Sequence, residues 1–437
     1  MSISDITAWI REGRMSVGDV VATSRQRMAD HRDSNHYTSI DDAVIERQVR
    51  IAENGDPERP LHGVPVAIKD LIDEAGYPTT AGVRAGQPLA RRDALVVRRL
   101  RQAGAITMGR TNLDQLALAV TGENPDFGTI ANPRAVGCIA GGSSGGSAAT
   151  VALGDVPVAL GTDTGGSIRI PSALCGVVGL KGTYGLVPTE GVHALAWSMD
   201  TVGPIGRTVD DVRRVFEVIA ARSYASPRGI EGLRFSILVG QFAERVSPAI
   251  AEAVRQAGEA LADRGARLVD LPEVALEGVD ATRFIIVASE AAAAHQDKQA
   301  LVDQAGKAVR DYLAEGASIS AVDYLRAQRS RRRIISELSA LVANVDFVIM
   351  PTVASTAIPT LELMTEKASD RRIRDRYVRL CSPWNLTGHP ALTVPFGSDE
   401  SGLPMGIQLV ADYFHEGALF AAGTALESAR ASAAPSG

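Results

Sequence analysis

The feature that most constrains the fold is a stretch rich in glycine, serine and threonine, residues 141–185, which surrounds an apolar segment. Such a composition is usual in flexible linkers. Here, however, the enclosed run from Ala148 to Leu160 is apolar and has to be buried. Glycine lets the backbone approach another group closely and adopt positive φ angles. We therefore expect loops that bring the backbone close to a ligand, rather than a tether between domains.

Strand and helix patterns alternate along the chain. Residues 63–68 form a short apolar run that predicts a buried strand ending at Lys69 and Asp70. Residues 94–103 have helical spacing, and 104–109 predict the next strand. Further segments follow the same rules, with helices predicted at 209–221 and 248–264 and strands at 347–351, 391–395 and 407–410. This alternation predicts an α/β fold, and without repeats or a clear linker we expect one domain over residues 1–437.

Composition excludes several functional classes. The chain has 45 basic and 51 acidic residues, a net charge of −6, whereas nucleic-acid binding depends on clustered Lys and Arg. The four arginines between residues 329 and 333 have helical spacing and are assigned to a solvated face. Cys138, Cys175 and Cys381 are far apart, so we expect neither disulfides nor a metal site, and a reducing compartment.

We also expect no secretory signal and no membrane-spanning segment. The first residues lack a basic region followed by an apolar stretch, which argues against a secretory signal. The most apolar run, 148–160, is broken by glycine, aspartate and proline and is too short to span a bilayer. We therefore expect a cytoplasmic protein that binds neither nucleic acid nor a membrane.

Polar side chains in and beside the glycine-rich loops are the candidates for chemistry. Lys69 follows six uncharged residues, and burial there would lower the pKa of its amine and make it a base; the alternative is a lysine that extends to solvent. Ser167 follows two glycines in a turn whose N–H groups could converge on the anion of an acyl-transfer intermediate. The alternative there is an ordinary turn with a capping serine.

Ser143 and Ser144 lie in the other glycine loop. A hydroxyl both donates and accepts hydrogen bonds, so one of them could pass a proton from a nucleophilic serine to the lysine. The alternatives are a flexible turn or a phosphate-binding loop. The Gly-Lys-[Ser/Thr] ending of a phosphate-binding loop is missing, and so is the acidic residue of a dinucleotide fingerprint.

Taken together, these segments resemble the amidase signature family of serine hydrolases. The match runs through 63–70, 141–147, 161–176, 179–185, 197–200, 203–204, 350–352, 385–390 and 402–409. It is strong over residues 60–210 and looser over most of 340–430. Apolar residues at helical spacing, such as Ile6, Trp9 and Ile10, predict a helical N-terminal segment at 1–55. The resemblance implies an amidase domain with a signature core at about 60–210 and a C-terminal part at about 211–430 that completes the sheet. It also implies a central mixed, twisted sheet covered by helices on both faces.

The resemblance assigns a Ser–Ser–Lys triad. Ser167 would be the nucleophile that forms an acyl-enzyme, Ser143 the bridging serine, entered by a cis peptide from Gly142, and Lys69 the terminal base. No metal or organic cofactor is implied. Supporting roles carry over in the same way: the oxyanion hole would be the N–H groups of Thr164, Gly165, Gly166 and Ser167, and the loop would be supported by Ser144, Asp163 and Arg169.

The resemblance also points to a substrate pocket. Residues 117–120 match a segment that lines the acyl pocket in relatives, and the competing interpretation is the core of a helix. Trp197 has the same two interpretations. The residues predicted to line the pocket are Ala117, Leu118, Ala119, Val120 and Trp197.

The family acts on simple, fatty and peptide amides and on urea-like compounds, and it includes the glutaminase subunit of tRNA-dependent amidotransferases. That subunit carries an Arg-Arg-Ile-Met-Leu-Gly segment in its later helical region, whereas this chain reads Tyr-Leu-Ala-Glu-Gly at 312–316. We therefore predict a freestanding amidase whose partner is a small carboxamide, with a homodimer left open. The alternatives are a hydrolase of allophanate or carboxybiuret and the glutaminase component of the amidotransferase. A noncatalytic binding protein is disfavoured by the intact triad positions.

Overall fold

The structure is a computed structural model, and it describes residues 1–224, 229–238, 240–273, 277–363 and 371–433. The strands are β1 Tyr37–Ser39, β2 Pro65–Lys69, β3 Ile106–Thr111, β4 Val158–Asp163, β5 Val178–Lys181, β6 Thr201–Gly206, β7 Arg234–Ile237, β8 Arg267–Leu268, β9 Phe347–Pro351, β10 Ala391–Ser398 and β11 Pro404–Val410.

The α-helices are α1 Ile3–Arg11, α2 Val17–Asp30, α3 Asp42–Glu53, α4 Leu95–Gln102, α5 Gly145–Leu153, α6 Arg169–Cys175, α7 Val209–Ala220, α8 Pro248–Ala262, α9 Val279–His295, α10 Gln299–Gln304, α11 Lys307–Ser318, α12 Ala321–Val342, α13 Thr360–Leu363, α14 Arg371–Ile373, α15 Ser382–Thr387 and α16 Glu416–Ala433. Short 3₁₀ turns lie at Arg32–Ser34, Gln115–Ala117 and Gly240–Phe242, and a π-helical turn at Arg374–Val378.

All of these strands belong to one sheet. Their order is β1-β3-β2-β4-β6-β5-β10-β11-β9-β7-β8. The pairs β2–β3, β2–β4, β7–β8 and β7–β9 are parallel, and the other neighbours are antiparallel. The predicted α/β class with a mixed sheet is confirmed.

Helices cover both faces of this sheet. On one face Leu392 of β10 packs with Phe216 of α7 and Phe420 of α16, all of them buried. On the other face Ala159 of β4 packs with Ala148 of α5. Because alternate residues of a strand point to opposite faces, both faces of the central strands have to be apolar. This explains why the sequence shows continuous apolar runs there, and it confirms a single α/β domain.

The N-terminal segment is not wholly helical. Helices α1 and α2 begin at capping boxes formed by Ser2 with Asp5 and by Ser16 with Asp19, as their sequence favours. Between α2 and α3, however, β1 pairs with β3 in antiparallel fashion. The prediction of a helical segment at 1–55 is wrong at this point, because a strand of three residues is shorter than the window in which periodicity can be recognised.

The apolar run 148–160 is divided between two elements. It includes most of α5 and the start of β4, and between them Gly154 ends the helix in the left-handed region with φ of 79°. Glycine favours that conformation because it carries no Cβ. The expected burial of the run is confirmed except at Ala152 and Leu153, which are half-buried. As a consequence, the residues before α5 and after β4 meet at one edge of the sheet.

Within the described ranges, no helix has the length and apolar character that crossing a membrane requires. The same residues contain no group of three or more His, Cys, Asp or Glu side chains arranged to hold a metal ion.

Candidate active site

Lys69 and the serines of the first glycine loop converge at the end of strand β2. Strands β2 and β4 are parallel, with Ile68 opposite Leu160, so their carboxyl ends lie side by side. The Lys69 side chain is fully buried. Its Nζ lies 2.8 Å from Ser143 Oγ, 2.9 Å from Ser144 Oγ and 2.8 Å from Thr162 Oγ1. The amine is thus held in a cage of three hydroxyl groups.

The hydrogen bonds around this cage distinguish the two serines. Ser144 Oγ donates to the Thr162 carbonyl oxygen at 3.1 Å and accepts from the Thr162 N–H at 3.2 Å. Its proton is therefore committed to the backbone. Ser143 Oγ has Lys69 as its hydrogen-bond partner among the described residues. The Ser143 proton remains available for transfer, which favours Ser143 over Ser144 as a relay.

Thr162 is the residue of this cage that the sequence did not single out. It lies one position before Asp163 in the second glycine motif, near the carboxyl end of strand β4. The signal that could have found it is the parallel register of β2 and β4, which brings Lys69 and Thr162 together. Register between distant strands is a tertiary property, so the sequence pattern alone did not supply it.

Burial dominates the ionisation of Lys69. Desolvation lowers the pKa of the amine to about 7, against the opposing effect of the negative charges of Asp114, Asp163 and Asp200. A lysine with this pKa is largely uncharged slightly above neutral pH. An uncharged amine has a free electron pair, so Lys69 can accept a proton from a neighbouring hydroxyl.

Ser167 lies in the turn that follows β4 and precedes α6. Its carbonyl oxygen accepts a hydrogen bond from the Ser144 N–H at 3.1 Å, which joins the two glycine loops. The peptide bond between Gly142 and Ser143 is cis, as the resemblance implies. The hydroxyl groups of Ser143 and Ser167 are not hydrogen-bonded to each other in the described part of the chain. The Ser167 residue is 5% exposed, and its hydroxyl forms no hydrogen bond within the described ranges.

The glycine turn around Ser167 presents backbone donors, but one of the four predicted donors is already used. The Gly166 N–H donates to Asp163 Oδ1 at 2.7 Å. In the described residues the N–H groups of Thr164, Gly165 and Ser167 make no such bond. Gly166 has φ of 125°, and a Cβ there would lie 2.7 Å from Cys381 Cβ, so only glycine fits. The turn can thus offer three N–H groups to a developing oxyanion.

Asp163 and Arg169 form the buried support of this turn. The guanidinium Nε and Nη2 lie 3.0 Å from Asp163 Oδ2 and Oδ1, and Asn385 Nδ2 donates to Oδ1 at 2.7 Å. Burial disfavours the charged form of Asp163, yet the neighbouring Arg169 outweighs burial and holds the pKa of the carboxyl well below its usual range. Arg169 also donates to the Cys381 carbonyl oxygen at 3.0 Å and to Gln408 Oε1 at 2.6 Å. The pair ties the turn to the C-terminal strands.

Replacing Arg169 with leucine is expected to destabilise the fold strongly. The change leaves the Asp163 carboxylate buried without its partner, and breaking a buried ion pair in this way costs about 3–5 kcal/mol. Urea unfolding followed by tryptophan fluorescence measures the loss. As a control, Arg255→Leu removes an exposed ion pair with Glu252 and should leave the midpoint unchanged. Equal midpoints for Arg169→Leu and the unmodified protein would contradict the structural role.

Gly142 is constrained by a carboxylate. A Cβ built on Gly142 would lie well inside the van der Waals radius of Asp114 Oδ2. We expect Gly142→Ala to displace the loop that carries Ser143 and to lower turnover by about 100-fold or more, since small misplacements of reacting groups have effects of this size. Steady-state hydrolysis checks this. Gly417→Ala is the control, because a Cβ there would meet Tyr224 at an ordinary 3.8 Å; equal turnover in the two variants would contradict the expectation.

The predicted pocket segment is not part of a helix. The 3₁₀ turn ends at Ala117, and residues 118–120 are irregular and half-buried. The helix-core alternative is therefore wrong for them. Leu118 and Val120 pack on two different apolar clusters. Trp197 is 49% exposed, and its carbonyl oxygen accepts a hydrogen bond from Tyr184 Oη at 2.8 Å. Contact of these residues with a substrate remains a prediction.

Comparison with known proteins identifies the family. A family model described as Amidase matches residues 19–420. Among similar sequences is a glutamyl-tRNA(Gln) amidotransferase subunit from Synechococcus sp. (strain RCC307), 36% identical over 408 residues, covering 84% of this chain and 83% of the relative. Another is the 1-carboxybiuret hydrolase subunit of Pseudomonas sp. (strain ADP), 34% identical over 407 residues, covering 88% of this chain and 87% of the relative.

Solved structures agree over nearly the whole chain. A structure described as an amidase has a TM-score of 0.89 at 34% identity and covers 98% of this chain and 100% of its own. The native peptide amidase from Stenotrophomonas maltophilia has a TM-score of 0.84 at 27% identity and covers 99% of this chain and 97% of its own. The resemblance stated from the motifs is thereby confirmed over the full length of the fold.

Proposed function

The chain belongs to the amidase family and is an enzyme that hydrolyses C–N amide bonds, and from this premise we propose that it cleaves a small carboxamide through an acyl-enzyme on Ser167. The observation that carries the assignment is the fully buried amine of Lys69, 2.8 Å from a Ser143 hydroxyl whose proton is not committed elsewhere among the described residues. Lys69 serves as the base and Ser143 as the relay.

The reaction begins with uncharged Lys69 and protonated hydroxyl groups. Lys69 takes the proton of Ser143, and Ser143 takes the proton of Ser167 as Ser167 Oγ attacks the amide carbonyl carbon. The Ser144 hydroxyl keeps its own proton and donates it in a hydrogen bond to the Thr162 carbonyl oxygen, which holds the hydroxyl, and with it the Lys69 amine, in place. The negative charge that develops on the carbonyl oxygen is stabilised by the N–H groups of Gly165 and Ser167, together with that of Thr164.

Collapse of this intermediate breaks the C–N bond. The proton on Lys69 returns through Ser143 to the leaving nitrogen, which departs as an amine or ammonia. Water then enters, gives a proton to the same relay and attacks the acyl-enzyme carbonyl. Breakdown of the second intermediate releases the carboxylic acid and returns the proton to Ser167, so amide and water give acid and amine.

The pH dependence follows from the state of Lys69. Only the uncharged amine can start the reaction, and burial places its pKa at about 7. We therefore expect kcat/KM to rise with pH through a limb near pH 7 and to fall at lower pH as the amine is protonated.

The glutaminase subunit of a tRNA-dependent amidotransferase is the second candidate. It is favoured by similarity to several amidotransferase subunits, including the one from Synechococcus. Against it stands the segment 312–316 in α11, which lacks the Arg-Arg-Ile-Met-Leu-Gly pattern. We therefore prefer a freestanding enzyme. Tight co-purification with a second protein, together with glutaminase activity, would favour the alternative.

A panel of amides tests the proposal. The panel contains small aliphatic and aromatic carboxamides, urea-like amides such as allophanate, and glutamine, and release of ammonia or amine is measured. We expect turnover of at least one small carboxamide by the purified chain alone. A chain that releases ammonia only from glutamine, and only with a partner present, would overturn the proposal.

A further inference from the structure

Asp114 is a buried carboxylate close to the relay. It follows β3, and its side chain is 1% exposed. Oδ1 accepts hydrogen bonds from the Gly122 N–H at 3.1 Å, the Thr121 N–H at 3.3 Å and Thr121 Oγ1 at 3.2 Å. In the described part of the chain no Lys, Arg or His side chain forms an ion pair with it. A buried carboxylate without a paired cation is costly, which makes Asp114 a candidate for a functional role.

The second oxygen of Asp114 faces the loop of Ser143. Oδ2 accepts from the Gly122 N–H at 3.2 Å and occupies the space that a side chain at position 142 would need. Gly142 precedes Ser143, whose hydroxyl is 2.8 Å from Lys69 Nζ. The carboxylate is therefore packed against the residue that positions the relay serine, and its charge acts on Lys69.

Two of the other acidic groups around Lys69 form ion pairs. Asp163 forms an ion pair with Arg169, and Asp70, the next residue in the chain, forms one with Arg110. Asp200 accepts from Thr164 Oγ1 and from the N–H groups of residues 195 and 196, without a described cation. Of the charges acting on Lys69, Asp114 is the largest in effect.

We propose that Asp114 is a positioning residue of the Lys69 relay: its volume holds Gly142 and hence Ser143, and its negative charge opposes the loss of the proton from Lys69. This inference rests on the proposed function. Burial raises the pKa of Asp114 to about 6, and the N–H groups of Gly122 and Thr121 limit the rise. Above neutral pH the carboxylate is therefore charged and favours the ammonium form of Lys69. Without that charge, Lys69 loses its proton at a lower pH.

Asp114→Asn tests the inference, because asparagine keeps the shape and an accepting oxygen but removes the charge. The readout is the rate constant for labelling of Ser167 by a fluorophosphonate between pH 5 and 9, which requires no knowledge of the substrate. We expect the acid limb to move to lower pH by about one unit, the size of effect a nearby opposite charge has. A merely structural role would lower the rate at every pH without moving the limb, and an unmoved limb would overturn the inference.

Two further variants complete the experiment. Thr121→Val removes one hydrogen-bond donor to Asp114, which makes the charged form of the carboxylate less favourable. We therefore expect the acid limb to move to lower pH by less than in Asp114→Asn. This variant tests the inference even if Asp114→Asn fails to fold. An unmoved limb in Thr121→Val, should Asp114→Asn not fold, would also overturn the inference. Asp126→Asn removes a carboxylate of a neighbouring loop, bonded to Gln115, and should leave the limb unchanged. If the unmodified protein is not labelled at Ser167, the proposed function fails; an unmoved limb in a labelled variant refutes only the role of Asp114.

Discussion

Ser167→Ala is expected to abolish amide hydrolysis while leaving the fold intact. Removing the nucleophile from a serine hydrolase lowers kcat by about 10⁴- to 10⁶-fold. The Ser167 hydroxyl makes no hydrogen bond to the described residues, so its loss breaks no contact there that stabilises the protein. Steady-state hydrolysis of any amide that the unmodified enzyme turns over measures the effect.

Thermal unfolding of the same variant supplies the control. Because the side chain is small and its hydroxyl donates to no described residue, we expect a Tm equal to that of the unmodified protein. A variant that unfolds at the same temperature but no longer hydrolyses amides supports the assignment. Near-normal turnover by Ser167→Ala would show that the nucleophile is another residue.

Lys69→Arg is expected to lose nearly as much activity as Lys69→Ala. Positioned bases contribute about 10²- to 10⁴-fold to such reactions. A guanidinium stays protonated at every accessible pH, so arginine keeps the positive charge and the donors but cannot accept the Ser143 proton. The rate of hydrolysis at pH 8 for both variants checks this expectation.

Lys181→Met is the matched control for position 69. Lys181 is also fully buried, and desolvation lowers the pKa of its amine to about 7 as well. It donates, however, to the Gly182 carbonyl oxygen at 3.0 Å rather than to a serine. We expect Lys181→Met to affect turnover far less than Lys69→Ala. Normal activity in Lys69→Arg would refute the role of an uncharged amine.

The elements that the sequence predicts well are those with long or regular apolar patterns. Strand β2, helix α7 and strand β9 lie within one or two residues of their predicted limits. Buried strands and amphipathic helices repeat their pattern over several residues, which local reasoning can recognise. The three residues of β1 offer no such repeat, and their pairing with β3 depends on a distant strand.

The same distinction between local patterns and distant contacts applies to the site residues. Lys69 is predicted from the apolar run that ends at it and Ser143 and Ser167 from two glycine-rich motifs, and the resemblance assigns their roles. The contact of Thr162 with Lys69 and the hydrogen bond of the Gly166 N–H cannot be predicted from such motifs, because both depend on how the chain folds around the site. The contact between Asp114 and Gly142, which lie 28 positions apart, likewise forms only when the sheet has folded. Motifs thus predict candidate reacting groups, whereas the electrostatic surroundings of these groups require the fold.

The most direct test of the relay is the rate at which a fluorophosphonate labels Ser167 in the unmodified protein and in Ser143→Ala, with the labelled residue identified by mass spectrometry. Both proteins keep the Ser167 hydroxyl and the Lys69 amine, and only the path of the proton between them differs. We expect a single adduct on Ser167 in the unmodified protein and labelling about 100-fold slower in Ser143→Ala, within the range for loss of a proton-transfer group. Equal labelling rates, or an adduct on a different residue, would contradict the account.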